Sequence, residues 1–159
     1  MSSNKKRWFV LIGSLLINLC IGCGYAWSVF SGPLREHFGW DASQAALVFT
    51  IANGVSPIVM ITGGKIQDKF GPRWVVLAGG ILLGGGLFLS GYVTSLTGII
   101  LSYGLGLGLG MGLVYTCTVS NTVKFFPEQR GLVGGLSTGF YGLASVVAAP
   151  IANALIGYK

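Results

Sequence analysis

Five long apolar stretches are the feature of this 159-residue sequence that most restricts its fold. They run from Trp8 to Phe30, Ala42 to Gly64, Trp74 to Val93, Gly98 to Val123 and Gly131 to Gly157. An α-helix rises about 1.5 Å per residue, so about 20 apolar residues cross a bilayer core of about 30 Å. Only 9% of the residues are charged, whereas soluble domains have about 25% and need them for a polar surface. The sequence therefore predicts an all-α membrane protein with five transmembrane helices.

The distribution of basic residues predicts how these spans are oriented. Eight of the ten lysines and arginines lie in the segments before the first span, between the second and third, and between the fourth and fifth. They are Lys5, Lys6, Arg7, Lys65, Lys69, Arg73, Lys124 and Arg130. Cytoplasmic segments carry such an excess, so we expect residues 1–7 in the cytoplasm, a transmembrane domain over 8–157, and residues 158–159 outside, in a plasma or bacterial inner membrane. A net charge of +6 also suits a nucleic-acid face, but here long apolar stretches separate the basic residues, so we expect no nucleic-acid partner.

Glycine spacing predicts how the spans pack. In the fourth span Gly104, Gly108 and Gly112 share one helix face, and Gly106 and Gly110 lie roughly opposite. Small residues four positions apart let two helix backbones approach closely, so we expect the fourth span between two neighbours. Similar spacing predicts packing faces on the third and fifth spans, at Gly80, Gly84, Gly131, Gly135 and Gly139. An alternative is that the glycine faces let helices rock during transport.

Several kinds of catalytic site do not fit the sequence. His37 is the only histidine, which argues against a histidine zinc cluster. Cys20 and Cys23 form a C-x-x-C without a second pair inside an apolar span, which indicates buried structural thiols. The four acidic residues lie in loops or at span ends. We therefore expect neither an enzyme nor a bound metal or cofactor.

The segment from Gly64 to Trp74 carries a recognisable motif. It resembles the signature G-x-x-x-D-[RK]-[FY]-G-x-[RK]-[RK] of the major facilitator superfamily, which lies between the second and third spans. The matching residues are Gly64, Asp68, Lys69, Phe70, Gly71 and Arg73. The resemblance implies the N-terminal six-helix half of a transporter, in which this loop acts as a cytoplasmic conformational latch. We expect Asp68 near a helix N-terminus, where the helix dipole stabilises an acid.

The first span resembles one particular family within this superfamily. Gly24–Phe30, followed by Pro33, Leu34 and Phe38–Trp40, is similar to the oxalate/formate antiporter family and its monocarboxylate-transporter relatives. This resemblance implies secondary active transport of small mono- or dicarboxylates, such as oxalate, formate, lactate or pyruvate, by exchange. Two alternatives remain: a transporter of a neutral solute or drug, and a truncated membrane fragment that does not transport.

Polar residues at helical spacing suggest where a substrate binds. In the superfamily the first and fourth spans line the central cavity and the fifth flanks it, which makes Tyr25, Tyr115, Tyr141 and Asn18 the candidates. Their hydroxyl and amide groups can donate hydrogen bonds to a carboxylate. The alternative is hydrogen bonding between helices, at about 0.6 kcal/mol per bond. No lysine or arginine lies near the middle of a span, so a cationic partner for the carboxylate is expected from elsewhere.

The number of spans predicts an incomplete unit. Transporters of this superfamily are built from two halves of about six spans each, and this sequence supplies five. We therefore expect the chain to be a portion of a transporter. Its expected partners are the lipid bilayer, a small organic anion and the missing C-terminal half.

Overall fold

The computed structural model describes residues 3–157. The predicted extracytoplasmic end, 158–159, lies outside the described residues. Within 3–157 the regular elements are all helical, and five helices are long and apolar enough to cross a bilayer. The prediction of an all-α protein with five transmembrane helices is confirmed.

The five helices are numbered α1 to α5 along the chain. Helix α1 comprises an α-helix, Ser3–Ile21, a 3₁₀ turn, Gly22–Ala26, and a second α-helical section, Trp27–Phe38. Helices α2 and α3 are Ala42–Phe70 and Pro72–Ser90. Helix α4 begins with Leu96–Ile99, continues as a π-helix, Ile100–Leu107, and ends with Gly108–Phe125. Helix α5 consists of a 3₁₀ turn, Pro127–Gln129, and Arg130–Ile156.

The connection between α2 and α3 differs from the sequence expectation. We predicted a loop from Lys65 to Arg73, but α2 continues to Phe70 and α3 begins at Pro72. Gly71 alone makes the turn, with a φ of +82° that favours glycine. Asp68 therefore lies in the last turn of its own helix, and its expected position near a helix N-terminus is wrong. Charged residues can extend a helix beyond the apolar layer because a helix satisfies its own backbone hydrogen bonds.

Helix α4 is the centre of the bundle and contacts the other four helices. A Cβ atom on Gly108 would lie 2.7 Å from the carbonyl oxygen of Ala52 in α2. On the opposite face, a Cβ on Gly110 would lie 2.6 Å from the carbonyl oxygen of Gly79 in α3. The prediction that the fourth span lies between two neighbours is confirmed, and the close approach depends on the missing side chains.

The glycine faces predicted on the third and fifth spans are wrong. A Cβ would meet no atom within 4 Å at Gly80, Gly84, Gly131, Gly135 or Gly139. Helix α3 instead approaches α4 at Gly79 and Gly86. One residue rotates a helix face by about 100°, so a spacing of four shows that a face exists without showing which neighbour it meets.

Candidate functional site

Three of the four candidate residues meet in one place. The ring centroids of Tyr25 in α1 and Tyr141 in α5 lie 5.2 Å apart, and those of Tyr141 and Tyr115 in α4 lie 4.9 Å apart. These distances are typical of aromatic pairs in contact. All three side chains are only partly buried. We call Tyr25, Tyr115 and Tyr141 the tyrosine cluster.

The 3₁₀ turn in α1 sets the position of the cluster. Gly22 begins this turn, and a Cβ there would collide with the backbone carbonyl of Tyr141 and with Ala144. The absence of a side chain lets α1 lie directly against α5. Tyr25 follows within the same turn and so contacts Tyr141. The cluster therefore depends on the close approach of the α1 and α5 backbones as well as on the contacts between its own rings.

Hydroxyl groups border the cluster on the α5 side. Tyr115 Oη and Thr138 Oγ1 lie 3.0 Å apart, and Thr138 Oγ1 lies 3.0 Å from the Gly134 carbonyl oxygen. A threonine hydroxyl has a single hydrogen. If Thr138 donates to Gly134, Tyr115 donates to Thr138. The tyrosine hydroxyl is thus held by a second hydroxyl that is itself anchored to α5.

Helix α2 adds two residues that were not among the candidates. The ring of Phe49 lies 6.3 Å from that of Tyr25, centroid to centroid. Asn53, one turn later and exposed, donates from Nδ2 to the Phe49 carbonyl oxygen at 2.9 Å. Phe49 and Asn53 also line a narrow pocket beside Tyr25. An amide within an apolar span was the available signal for Asn53, whereas nothing in the sequence singled out Phe49.

Asn18 lies elsewhere, in what we call the buried polar seam: Ser14 and Asn18 of α1 against Thr118 and Thr122 of α4. Asn18 and Thr122 have no exposed surface. Thr118 Oγ1 lies 2.9 Å from the Asn18 amide and Thr122 Oγ1 lies 2.7 Å from Ser14 Oγ. Asn18 therefore joins α1 to α4 and is not part of the tyrosine cluster.

The hydroxyls of the two threonines make the hydrogen bonds of the seam. Thr118 Oγ1 donates to Asn18 Oδ1 and also lies 3.0 Å from the Tyr115 carbonyl oxygen. Thr122 Oγ1 lies within hydrogen-bond distance of both Ser14 Oγ and the Thr118 carbonyl oxygen, which is 2.6 Å away. Asn18 Nδ2 is buried and has no hydrogen-bond partner among the described residues. The seam therefore joins α1 to α4 through the threonine hydroxyls.

The signature residues lie at the α2–α3 turn. Asp68 Oδ1 is 3.3 Å from Lys124 Nζ, which links the ends of α2 and α4. Lys69 Nζ lies 5.4 Å from the ring centroid of Phe70. A Cβ on Gly64 would meet no atom within 4 Å. Arg73, at the start of α3, is exposed. The segment is therefore tied to α4 by this exposed ion pair and by a hydrogen bond from Cys117 Sγ to the Pro72 carbonyl oxygen, 3.3 Å long.

A second ion pair links α1 to α5 at the same end. Arg7 Nη2 lies 2.7 Å from Glu128 Oε2, and Arg7 Nε donates to the Phe125 carbonyl oxygen at 2.6 Å. The guanidinium carbon also lies 4.8 Å from the ring centroid of Phe126. A backbone hydrogen bond, followed by the hydrogen bond from Arg7, lowers the pKa of the Glu128 carboxyl. The sequence pattern identified Arg7 only as one of the basic residues that indicate membrane orientation, and it did not predict these contacts.

The residues described hold no metal-binding group. Between 3 and 157, no three His, Cys, Asp or Glu side chains come together in a way that could bind an ion. Cys117 is buried, whereas Cys23 is only partly buried and Cys20 is exposed. The prediction of a buried thiol is therefore wrong for Cys20, because its side chain points away from the neighbouring helices. The tyrosine cluster thus offers hydroxyl groups and aromatic rings, which suit hydrogen bonding and packing.

The chain resembles membrane carriers over most of its length. It is 39% identical over 142 residues to the uncharacterized MFS-type transporter YhjX of Escherichia coli (strain K12), covering 89% of this chain and 35% of that protein. It is 29% identical over 152 residues to the oxalate:formate antiporter of Oxalobacter formigenes and 31% identical over 152 residues to monocarboxylate transporter 13 of Bos taurus. Both alignments cover 95% of this chain and 36% of the relative. The chain therefore spans about a third of the length of these curated relatives.

A family-level match covers nearly the whole sequence. The profile of the Major Facilitator Superfamily matches residues 6–159. Its members are carriers, which agrees with the expectation that the chain is not an enzyme. The match and the five long apolar helices make it an integral, multi-pass membrane protein. This chain belongs to the major facilitator superfamily.

Proposed function

We propose that the chain is part of a secondary active transporter that exchanges small organic anions, and that the tyrosine cluster lines the substrate path. The observation that carries the proposal is the meeting of Tyr25, Tyr115 and Tyr141 from three different helices. The names of two relatives, an oxalate:formate antiporter and a monocarboxylate transporter, support the substrate class.

The cluster suits part of a carboxylate site. Phenol hydroxyls donate hydrogen bonds to carboxylate oxygens, and such charge-assisted bonds are stronger than neutral ones. Partial burial limits competition from water while leaving the cluster accessible. A carboxylate in a poorly hydrated site also needs a cation, and this chain has no lysine or arginine near the middle of a helix. We propose that a second half of the transporter supplies it, in keeping with the greater length of the relatives.

The signature segment fits the role of a latch at the cytoplasmic face. We place residues 1–7 in the cytoplasm because the basic residues gather at that end. The Asp68–Lys124 and Arg7–Glu128 ion pairs lie there and join α2 to α4 and α1 to α5. Ion pairs at the surface contribute little to stability, so both can be broken and remade during a conformational cycle. A cysteine introduced at Lys5 tests the orientation, since a membrane-impermeant thiol reagent added outside intact cells should not label it.

Counterflow in liposomes tests the transport proposal. The longest polypeptide that contains this sequence is reconstituted in vesicles loaded with oxalate, formate, lactate or pyruvate, and uptake of the labelled anion is measured. Exchange of at least one anion is expected. If none of the four moves, the substrate class is wrong.

A matched pair of variants tests the site. Tyr141→Phe removes a hydroxyl from the centre of the cluster, and Tyr92→Phe removes one from an exposed tyrosine in the α3–α4 connection. We expect Tyr141→Phe to raise the KM for exchange by roughly fivefold, the value of one hydrogen bond of about 1 kcal/mol. Tyr92→Phe should leave KM unchanged. Equal KM values for both variants would remove the cluster from the substrate path.

A transporter of a neutral solute is the second candidate. The same lack of a mid-helix cation favours it, because a neutral solute needs hydrogen bonds and aromatic surface but no positive charge. Uptake of a neutral solute that is unaffected by excess oxalate or formate would support this candidate. A chain that moves nothing even in its longest form would instead be a non-transporting fragment.

A further inference from the structure

The 3₁₀ turn in α1, Gly22–Ala26, interrupts an otherwise α-helical span. The hydrogen bonds of a 3₁₀ helix have poorer geometry than those of an α-helix, so runs longer than three or four residues are uncommon. This turn has five residues. It also lies within a transmembrane helix, where no water from the bilayer core can replace a weak backbone hydrogen bond. A turn of this length therefore needs contacts from neighbouring helices to persist.

The turn sets the direction in which Tyr25 points. A 3₁₀ helix rotates by about 120° per residue and an α-helix by about 100°. Tyr25 is the fourth residue of the turn, so its side chain is rotated by about 80° relative to a continuous α-helix. Without this rotation the ring would point away from Tyr141, whose ring centroid is 5.2 Å away. The tyrosine cluster thus requires the 3₁₀ turn.

Three neighbouring helices hold the turn. At its start, Gly22 packs against the backbone of α5. Directly after its end, Trp27 Nε1 donates to the Ala45 carbonyl oxygen of α2 at 3.1 Å. In its middle, Tyr103 Oη of α4 donates to the Gly24 carbonyl oxygen at 3.0 Å. The first two contacts fix the ends of the turn, whereas the third acts on its own backbone.

The hydrogen bond from Tyr103 to Gly24 lies in the packed interior. Tyr103 is 5% exposed, and Gly24 is buried. The Gly24 carbonyl also accepts from the backbone N–H of Trp27, three residues later, which is a 3₁₀ hydrogen bond. Because a carbonyl oxygen has two lone pairs, the Tyr103 hydroxyl fills the second position. A Cβ on Gly24 would lie 3.0 Å from Leu107 Cδ2 and from Met111 Sδ, so the missing side chain lets the turn approach α4.

Tyr103 itself lies in an irregular segment, the π-helix Ile100–Leu107. Such segments are rare and occur frequently at functional sites. Residues 22–26 and 100–107 contain no proline and no positive φ, so neither irregular segment has a local cause of this kind. The hydrogen bond between Tyr103 and Gly24 joins the two segments directly.

We propose that Tyr103 is a positioning residue for the tyrosine cluster: its hydroxyl holds the 3₁₀ turn and thereby directs Tyr25 towards Tyr141. The effect on transport rests on the proposed function, whereas the arrangement of the rings does not. The alternative is that the hydroxyl only satisfies itself, as the hydroxyl of a buried tyrosine usually does. The two differ in what the loss of this hydroxyl does to Tyr25.

Fluorine NMR tests the arrangement of the rings. A 3-fluorotyrosine is placed at position 25 of the longest polypeptide that contains this sequence, in detergent micelles. Tyr103→Phe keeps the ring and removes the hydroxyl, so the fluorine resonance should shift or split as Tyr25 loses its fixed contact with Tyr141. Ser14→Ala is the matched control. It also removes a buried hydroxyl between α1 and α4, but about 12 Å before the turn at about 1.5 Å per residue.

The control should leave the resonance unchanged, and thermal unfolding shows that both variants remain folded. An unchanged resonance in Tyr103→Phe would overturn the proposal. The same change in both variants would also overturn it, because the resonance would then report a general loosening of α1 against α4.

Transport measurements test whether Tyr103 acts through Tyr25. Tyr103→Phe should raise the KM for anion exchange by roughly fivefold, the value of one hydrogen bond. In a Tyr25→Ala background the same substitution should raise KM no further, since residues that act through one another are not additive. Additive effects would show another route to the substrate and would contradict the proposal. If no anion moves at all, the proposed function fails, and the fluorine resonance still decides the role of Tyr103.

Discussion

The buried polar seam and the tyrosine cluster both use α1 and α4 but differ in their surroundings. In the seam, Asn18 and Thr122 are completely buried and hydrogen-bonded between α1 and α4. In the cluster, Tyr25 and Tyr115 are partly exposed, and their rings meet Tyr141 of a third helix. Thr118 and Tyr115 are only three residues apart in α4, so one helix contributes to both.

The difference shows how to separate two uses of polar residues in a membrane protein. A polar group that is hydrogen-bonded between two helices and has no exposed surface can hold the helices together, but a ligand cannot reach it. A partly exposed hydroxyl at a junction of three helices can still change its partner. The following predictions test this division, beginning with a residue that lies between the two regions along α1.

Gly22→Ala should have the largest effect, because Gly22 lies in α1 between Asn18 and Tyr25 and packs against the Tyr141 backbone. The added methyl group would push α1 away from α5. Overpacking of this kind costs about 1–3 kcal/mol, and displacement of Tyr141 should lower transport by roughly tenfold or more. Thermal unfolding in detergent and anion exchange measure the two effects. Gly13→Ala is the control, since a Cβ there would meet nothing within 4 Å.

Asn18→Ala should lower stability without changing substrate affinity. The variant removes the hydrogen bond to Thr118 and leaves a small void, which together cost about 1–2 kcal/mol in a membrane protein. Asn153→Ala, at an exposed amide in α5, should be neutral. Unfolding in mixed micelles gives the stability, and exchange gives KM. A raised KM with unchanged stability would move Asn18 into the substrate path.

Tyr115→Phe, in contrast to Asn18→Ala, should weaken substrate binding and leave stability almost unchanged. It should raise KM by roughly fivefold, the worth of a hydrogen bond of about 1 kcal/mol, and change stability by no more than about 0.6 kcal/mol. A double-mutant cycle with Thr138→Val distinguishes a direct role from a loss of the Tyr115–Thr138 hydrogen bond. Additive effects on KM would show that the hydroxyl of Tyr115 acts independently of Thr138.

The smallest effect should be the pH dependence of the stability that the Arg7–Glu128 ion pair contributes. The pKa of Glu128 is lowered in the folded chain, so its contribution is present above the unshifted value of 4.5 and is lost as the pH falls through the lowered value. Wild type and Glu128→Gln should therefore differ in melting temperature at pH 7 and converge as the pH falls below the lowered pKa of Glu128. Glu36→Gln, at an exposed acid in the second half of α1 that is in neither ion pair, should melt at the same temperature as the wild type at pH 7. If the melting temperatures of wild type and Glu128→Gln still differ at low pH, the substitution acts through packing and not through the charge of Glu128.

The sequence predicted the helices, the superfamily and the central place of α4, because each depends on a property repeated over many residues. Apolar length indicates a span without any knowledge of its neighbours. The assignment of Asn18 and the glycine faces of α3 and α5 could not be made in the same way. Each depends on the rotation of one helix against another, which a few buried contacts decide. Arg7 was missed because its partner, Glu128, is 121 positions away in the chain.

The one-residue turn at Gly71 has a consequence for biogenesis. Helices α2 and α3 emerge from the ribosome as a hairpin, yet they touch each other little and both pack against α4. Until α4 is synthesised, the faces that receive its glycines are turned towards lipid or the insertion machinery. The α2–α3 hairpin is thus synthesised before the helix that packs against both of its arms. The faces of α2 and α3 that meet α4 are therefore the part of the hairpin that protein covers last.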